Sequence, residues 1–211
     1  MKKSKGSFLI TAGLLLIAAA LFLACWNLRE AKNAGEAAVE VVEQLVEATP
    51  VVTVPESTAT TAPEVVQPEV PLYEQYPEME MPSAEIDGEY YIGVLSIPAL
   101  GLELPVMDKW SYPRLKVSPC RYVGSAYQGD LVIMAHNYDR HFGRLKDLEQ
   151  GDGIVFTDMD GNVFRYQVAG TELLQPTDIE NMTAGEWPLT LFSCTVGGSA
   201  RITVRCETAA P

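Results

Sequence analysis

Basic residues are scarce in this chain, and their scarcity limits what it can bind. The 211 residues include 15 Lys and Arg against 28 Asp and Glu, which gives a formal net charge of −13. Between residues 30 and 90, fourteen acidic residues are accompanied by a single basic one, Lys32. Nucleic-acid partners require basic patches that neutralise phosphates. We therefore expect no nucleic-acid partner.

Histidine and cysteine are also rare. The chain has 2 His and 4 Cys, so any imidazole chemistry is restricted to His136 and His141. Cys194 ends a short β-type run near the C-terminus, and His136 ends another apolar run far upstream. A cysteine and a distant histidine form a candidate nucleophile and base, because folding brings such partners together.

The longest apolar run, residues 8–26, carries no charge. Its nineteen residues, at ~1.5 Å each, extend about 28 Å, close to the ~30 Å hydrocarbon core of a bilayer. Three lysines lie within residues 1–7, and this charge bias predicts a cytoplasmic tail and an extracellular C-terminal part. The alternatives are a cleaved signal peptide or a lipoprotein signal ending at Cys25. Each alternative leaves the C-terminal part outside the cytoplasm.

Residues 27–85 are predicted to form an acidic, proline-rich stalk. Within it, residues 31–48 have a helical pattern, in which apolar side chains fall on one face and glutamates on the other. The apolar positions are Val39, Val42, Leu45 and Val46. A frayed juxtamembrane segment is the alternative. From residue 48 to 82 seven prolines and many Thr and Glu indicate a disordered, extended linker.

Residues 86–211 are predicted to form the folded domain, and their pattern is typical of an all-β fold with short helices. Short runs rich in β-branched and aromatic residues alternate with turn signals, and Asp160-Gly161 is a strong hairpin signal. The predicted strands are residues 91–97, 101–106, 131–135, 154–158, 162–168, 189–194 and 201–206, with a helical turn in 142–148. This many short strands implies a closed barrel or a sandwich.

Three motifs in this domain resemble those of the sortases, the surface transpeptidases of Gram-positive bacteria. Thr190-Leu191-Phe192-Ser193-Cys194 is similar to the family's Thr-Leu-x-Thr-Cys motif, with Ser193 in place of Thr. His136 follows the strand-like Val132-Ile133-Met134-Ala135, and Arg201 follows the cysteine. The resemblance implies a closed eight-stranded β-barrel with Cys, His and Arg at one end.

The resemblance assigns catalytic roles to Cys194, His136 and Arg201. Cys194 would attack the scissile carbonyl and form a thioester, His136 would transfer protons, and Arg201 would stabilise the negative charge. Each assignment has an alternative. Cys194 could be a core cysteine, His141 could replace His136 although its polar stretch predicts a surface loop, and Arg205 could replace Arg201.

The substrate also follows only from the resemblance. It implies secreted proteins with a C-terminal sorting signal similar to Leu-Pro-x-Thr-Gly, joined to an amine on a cell-wall precursor or a pilin lysine. Ser193, Phe192 and Leu174 are the expected substrate-binding residues. The segment 171–187 corresponds to the loop that cradles the signal. Its apolar residues, which include Leu173, Ile179 and Trp187, either form a wall of the groove or pack into the barrel.

No cofactor or metal is expected. Some sortases bind calcium through an acidic cluster, but residues 120–136 contain one acidic residue, Asp130, and calcium usually requires several carboxylates. Cys120 and Cys206 are interpreted as reduced core residues, with a disulfide as the alternative. The functional alternatives are a hydrolase that uses the same acyl-enzyme and a stalked binding module without catalysis.

Overall fold

A computed structural model of the chain describes residues 5–48 and 70–209. The helices are α1 Lys5–Ala48, α2 Leu72–Gln75, α3 Tyr112–Leu115 and α4 Ile179–Met182, with 3-10 turns at Pro98–Leu100 and Leu145–Asp147. The strands are β1 Ala84–Ile86, β2 Glu89–Ile97, β3 Leu102–Met107, β4 Cys120–Val123, β5 Leu131–Ala135, β6 Gly153–Asp158, β7 Val163–Leu174, β8 Leu189–Cys194 and β9 Arg201–Thr208. Most of the predicted linker, residues 49–69, lies outside the described residues, as does the start of the cytoplasmic tail.

One sheet closes on itself to form the barrel. Its strand order is β1-β2-β3-β4-β5-β8-β9-β7-β6, and β2 also pairs with β6. The closing pairs join Gly93–Ser96 of β2 to Val155–Asp158 of β6 in antiparallel register. Eight strands, β2 to β9, therefore form a closed barrel, while β1 pairs with β2 alone. The predicted eight-stranded barrel is confirmed, and the sandwich alternative is excluded.

The alternation of side chains along the strands explains the closure. Inward positions carry branched and aromatic residues that share one buried core, as expected when side chains alternate between the two faces of a strand. Core residues with no solvent exposure include Ile92, Leu95, Val106, Leu131, Ile133, Phe156, Leu189, Leu191 and Val204. The shared core fixes the register of the strands around the barrel.

The predicted hairpin at Asp160-Gly161 joins β6 to β7. Gly161 has a φ of 83°, a left-handed conformation that glycine adopts without steric cost. The buried Asp158 carboxylate accepts bonds from the Asp160 amide (2.9 Å), the Asn162 amide (2.9 Å) and the Tyr127 hydroxyl (2.6 Å). The turn is therefore fixed to the barrel by one carboxylate.

The second half of α1 packs against the outside of the barrel. Ala34, Ala38, Val42 and Leu45 are buried, and their spacing of three or four residues forms one face of a helix. Val39 is 52% exposed, as is Val46, so those two residues lie off the contact face that the sequence pattern predicted. Residues 31–48 are helical as predicted, and their buried face consists mainly of small residues.

Part of the segment that the sequence assigned to the stalk also contacts the barrel. The Tyr73 ring of α2 stacks on Tyr127, with centroids 4.8 Å apart. Met81 is buried and belongs to the barrel core. Residues around α2 therefore pack on the folded domain, together with α1.

Candidate active site

The ends of three neighbouring strands bring the three predicted catalytic residues together. β5 and β8 run parallel, with Ala135 opposite Ser193, so the next residues on the two chains are His136 and Cys194. In the antiparallel pair of β8 and β9, Cys194 is opposite Arg201. Cys194 therefore lies between the other two candidates, at one end of the barrel.

Adjacent residues of β8 point to opposite faces of the sheet. Ser193 is 2% exposed, and its register partners Ala135 and Ile202 pack in the barrel core. Cys194 and Phe192 therefore lie on the outer face, and Cys194 is half-buried. The structure does not bring the Ser193 side chain to the surface where a substrate would bind.

His136 is half-buried beside an aromatic ring and an ion pair. Its ring stacks on Tyr138, with centroids 4.9 Å apart and planes 26° apart. Burial and then the Lys116 ammonium lower the pKa of His136, while Glu30 opposes them. Lys116 Nζ pairs with Glu30 Oε1 at 2.7 Å. A lowered pKa keeps the imidazole neutral at pH 7, so it can accept a proton.

His141 is buried beneath α1. It has no solvent exposure, so the prediction of a surface loop is wrong. The reason is tertiary, because α1 covers the turn that contains it. Burial and then the nearby His136 lower the pKa of His141 to about 4, and the Ala34 backbone of α1 opposes this shift. A buried residue of this kind is poorly placed to exchange protons with a substrate.

The turn between His136 and the 3-10 helix requires a glycine. A Cβ added to Gly143 would lie 2.7 Å from the Asn137 carbonyl oxygen and 2.8 Å from that of Tyr138. The Phe142 amide donates to the His136 carbonyl at 3.1 Å. Gly143, in the segment that the sequence predicted as a helical turn, thus shapes the backbone that carries His136.

Arg201 lies beside Cys194, and its side-chain hydrogen bonds within the described residues go to nearby backbone carbonyls. Its Nη1 donates to the carbonyls of Gly198 (3.3 Å) and Ala200 (3.2 Å). Among the described residues, Arg201 forms no ion pair with a carboxylate. Its remaining donors are therefore available to an anion or a carbonyl at Cys194.

The alternative arginine, Arg205, is fully engaged elsewhere. It is 5% exposed, and its guanidinium donates to Glu172, Thr190, Met182 and Asn181. Because two residues of a strand advance about 7 Å, it lies roughly 13 Å from Arg201 along β9. Geometry therefore favours Arg201 as the arginine of the site.

The connection between β8 and β9 is a tight turn. The Thr195 amide donates to the Ala200 carbonyl, and the Thr195 hydroxyl accepts from the Ala200 amide, both at 3.0 Å. Gly197 and Gly198 have φ values of 84° and 73°, which favour glycine. The Thr195 amide is thus already bonded, so it is not a free donor for negative charge at Cys194.

An apolar cluster covers the outer face of the sheet next to Cys194. Its buried members are Val132, Met182 and Phe192, with Tyr122, Met134 and Leu174 packed against them. We call this set the outer apolar cluster. The sequence identified Phe192 and Leu174, but it missed Met182 and Tyr122. Met182 lies among polar residues in the sequence, so no local pattern indicated that it would be buried.

The other apolar residues of segment 171–187 that the sequence predicted as a groove wall are more exposed than the buried members of the outer apolar cluster. Leu173 is 68% exposed and Ile179 is 50% exposed, while Trp187 is half-buried. None of the three belongs to the barrel core. The alternative that these residues pack into the barrel is therefore excluded.

The remaining cysteines of the barrel are shielded thiols. Burial raises the pKa of Cys120 and that of Cys206 to about 12, so both are protonated and unreactive at neutral pH. Cys120 belongs to the apolar cluster that contains Leu45 of α1, whereas Cys206 belongs to the barrel core. All cysteines are free thiols. Within residues 5–48 and 70–209, no three His, Cys, Asp or Glu side chains are grouped as a metal site.

α1 is long and apolar enough to cross a membrane. By length and composition it is the one such helix within the described parts of the chain, with a mean hydropathy of 2.7 in its most apolar window. That window is not buried in the protein. A signal sequence near an N-terminus meets the same criteria.

Comparison with known proteins gives a consistent result. The family model for the sortase domain matches residues 95–209. A curated relative, Sortase A of Bacillus anthracis, is 28% identical over 124 residues, which cover 54% of this chain and 57% of that protein. The chain thus spans less than two thirds of that relative's length.

Solved structures share the fold. Sortase A from Corynebacterium diphtheriae superposes with a TM-score of 0.53 at 23% identity, covering 58% of this chain and 62% of that one. Sortase C of Streptococcus pneumoniae has a TM-score of 0.50 at 23% identity, covering 60% and 72%. A Clostridium perfringens sortase C with the C-terminal cell wall sorting motif has a TM-score of 0.50 at 18% identity, covering 62% and 74%.

Proposed function

The chain belongs to the sortase family, and on that premise we propose that it is a membrane-anchored cysteine transpeptidase. The proposal is that it cleaves a C-terminal sorting signal and joins the released acyl group to an amine. The observation that carries this proposal is the position of Cys194, between His136 and Arg201 at the ends of three adjacent strands.

The proposed reaction has two halves. His136 takes the proton of the Cys194 thiol, and the thiolate attacks the scissile carbonyl carbon. The C–N bond breaks when the imidazolium gives its proton to the leaving amine, which leaves a thioester on Cys194. An incoming amine then loses a proton to His136 and attacks the thioester. The C–S bond breaks, and the thiol is restored.

Arg201 is proposed to stabilise the tetrahedral intermediate of each half-reaction. A guanidinium stays charged and has several donors in one plane, and negative charge develops on the carbonyl oxygen. Since the Thr195 amide already bonds to the Ala200 carbonyl, this support falls to the side chain of Arg201. We expect Arg201→Lys to lose most activity, because a lysine ammonium cannot reproduce the planar, forked arrangement of guanidinium N–H donors.

The outer apolar cluster is the proposed floor of the signal-binding groove. In a signal similar to Leu-Pro-x-Thr-Gly, the leucine lies three residues before the cleaved carbonyl, or about 10 Å in extended chain. Phe192 lies two residues before Cys194 on the same face, and Val132 and Met182 pack against it. The leucine and proline of the signal would therefore meet apolar side chains.

The acceptor amine is proposed to come from a cell-wall precursor or a pilin lysine. We further propose that residues 8–26 anchor the chain with its N-terminus in the cytoplasm and the barrel outside. The length and apolarity of α1 support the anchor, and the lysines before it support the orientation.

The test uses the full chain in detergent micelles with a Leu-Pro-x-Thr-Gly peptide, with and without triglycine. We expect mass spectrometry to show a thioester on Cys194 and a triglycine-joined product. Cys194→Ala should abolish both, while Cys25→Ala, a cysteine of the membrane run, should change neither. A thioester that yields only hydrolysed peptide would support the hydrolase alternative. No adduct with a series of signal peptides would contradict the proposal in favour of a binding module.

A further inference from the structure

A buried arginine joins four elements of the fold outside the catalytic end. Arg205 of β9 donates from Nε to Glu172 Oε1 (2.7 Å), and from Nη1 to Thr190 Oγ1 (3.0 Å) and the Met182 carbonyl (3.3 Å). Its Nη2 donates to the Asn181 carbonyl. These partners lie on β7, β8 and α4.

Arg205 links α4 to the barrel through hydrogen bonds to two backbone carbonyls of the helix. The helix has four residues, too few to be stable alone, and the last carbonyls of a helix lack partners within it. Arg205 bonds to two of those carbonyls. The other side-chain hydrogen bonds of α4 within the described parts of the chain are local, from Asn181 to Asp178 and from Thr183 to Ile179.

The attachment fixes part of the outer apolar cluster. Met182, whose carbonyl Arg205 holds, is 3% exposed and packs in one cluster with Val132 and Phe192. If α4 moved away from the sheet, Met182 would leave this cluster. The wall of the groove beside Phe192 would then be lost.

The chemistry of this position requires arginine. The guanidinium is planar and offers donors in several fixed directions, whereas lysine offers a single compact charge. Here those donors reach a carboxylate, a hydroxyl and two carbonyls. The Arg205 side chain is 7% exposed and the Glu172 side chain 46%, so Glu172 balances a charge that would otherwise be buried unpaired.

We propose that Arg205 is a positioning residue that holds α4 on the barrel and thereby sets the affinity for the apolar part of the sorting signal. This role rests on the proposed function. Arg205 does not contact the reacting atoms, because four strand residues separate it from Arg201, or about 13 Å. Its loss should therefore act on KM and leave the chemical step largely intact.

The test compares the full-length wild type with Arg205→Met in detergent micelles by two measurements. The first is backbone hydrogen exchange of residues 178–184, without any substrate. The second is kcat and KM for a Leu-Pro-x-Thr-Gly peptide with triglycine. We expect exchange of 178–184 to accelerate at least tenfold and KM to rise about tenfold, the factor that loss of a charge-assisted hydrogen bond produces. We expect kcat to change by less than about threefold.

Matched variants separate this role from a general loss of stability. Arg165→Met removes an exposed arginine of the neighbouring strand β7 and should change neither measurement. Arg205→Lys keeps the charge but not the fork, so it should give an intermediate effect. Glu172→Gln keeps an acceptor for Nε and should give a smaller change in exchange rate and in KM. If Arg205→Met does not fold, Arg205→Lys and Glu172→Gln test the proposal in its place.

Three results would overturn the proposal. Unchanged exchange of 178–184 would mean that Arg205 does not hold α4. Faster exchange with unchanged KM would mean that α4 does not form the groove. A fall in kcat at constant KM would place Arg205 in the chemistry. If the wild type itself forms no acyl-enzyme, the proposed function fails together with the role in signal affinity, while the exchange data still decide whether Arg205 holds α4.

Discussion

The two histidines lie five residues apart and have different environments. His136 is half-buried at the end of β5, next to Cys194 on the neighbouring strand, and its pKa is lowered by burial and by Lys116. His141 has no exposure and lies under α1. Both imidazoles are neutral at pH 7 as a result, but only His136 is open to a substrate.

The buried His141 should make stability depend on pH. Its pKa is about 4 in the folded chain, against about 6.5 when unfolded. Above pH 6.5 His141 is neutral in both the folded and the unfolded state, so it does not reduce the free energy of unfolding. As the pH falls from 6.5 to 4 the unfolded chain binds the proton first, so folding should lose about 3 kcal/mol.

The measurement is the free energy of unfolding by urea at pH 7 and at pH 4, for wild type and His141→Gln. Carboxylates also titrate in this range, but they do so equally in both chains. We expect the wild type to lose about 3 kcal/mol more than the variant. Equal losses would show that His141 is not shielded in the folded protein.

At the scale of the elements, α1 combines an apolar run with a docking face. Residues 8–26 of this helix are uncharged, and its second half buries Ala34, Ala38 and Leu45 against the barrel. Small residues permit close approach of a helix backbone to its neighbour. A Cβ at Gly35 would lie 2.1 Å from Arg140 Cδ and 2.9 Å from Arg140 Cβ, so the helix lies directly on the turn that carries His141.

Gly35→Leu should therefore separate α1 from this turn. The added side chain would collide with the side chain of Arg140, and overpacking of this kind costs about 1–3 kcal/mol. With α1 displaced, water reaches His141, and its pKa should rise from about 4 toward the ordinary value of about 6.5. NMR titration of the two histidines in the full chain in micelles measures this shift directly.

Gly13→Leu is the matched control for this prediction. Gly13 lies in the same helix, and a Cβ there would have no neighbouring atom within 4 Å. The control should leave the pKa of His141 unchanged. A His141 pKa that stays near 4 in Gly35→Leu would contradict the docking of α1 on this turn.

At the scale of the whole molecule, the outer face of the barrel is divided between two helices. α1 covers one apolar cluster through Leu45, and α4 covers the outer apolar cluster through Met182. Met134 of β5 packs against both clusters. β5, which ends beside His136, therefore lies between the helix that would anchor the chain and the helix that would shape its proposed groove.

The proposed topology predicts which cysteines are accessible on intact cells. A membrane-impermeant maleimide should label Cys194, because the barrel is expected outside and this thiol is half-buried at the surface. Cys120 and Cys206 have no exposure, and Cys25 is the other exposed thiol, so Cys194→Ala in a Cys25→Ala chain should remove the labelling. The mass of the labelled chain distinguishes an uncut anchor from a cleaved signal peptide.

Labelling of Cys194 that requires permeabilised cells would contradict the orientation. The charge argument would then have failed, since it depends on the lysines before residue 8 remaining in the cytoplasm. Loss of the first residues from the mass would show processing, which still leaves the barrel outside.

Much of the barrel was predictable because local rules act on short segments. The runs at β5, β8 and β9 and the Asp160-Gly161 turn carry strong strand and hairpin signals, and their periods match the faces that they bury. β4 was not predicted, because Cys120–Val123 is short, contains an arginine and pairs irregularly with β5. β7 continues to Leu174 because β9 offers partners as far as Arg201.

The sequence by itself determined the order of the chemistry-bearing residues and the class of fold. The cysteine motif, the histidine after an apolar strand and the arginine after the cysteine are local patterns, and the strand signals that carry them repeat along the chain. Strand pairing then gives the geometry, since parallel β5 and β8 place His136 and Cys194 at the same end.

Only the tertiary structure decided which of two comparable residues is buried and which is open to a substrate. His141 is buried because α1 packs over a polar turn, Ser193 faces the core because it alternates with Cys194, and Arg205 is engaged because α4 folds back onto β9. These outcomes depend on contacts between segments far apart in sequence. Their energies come from burial and pairing across the fold, which no local pattern contains.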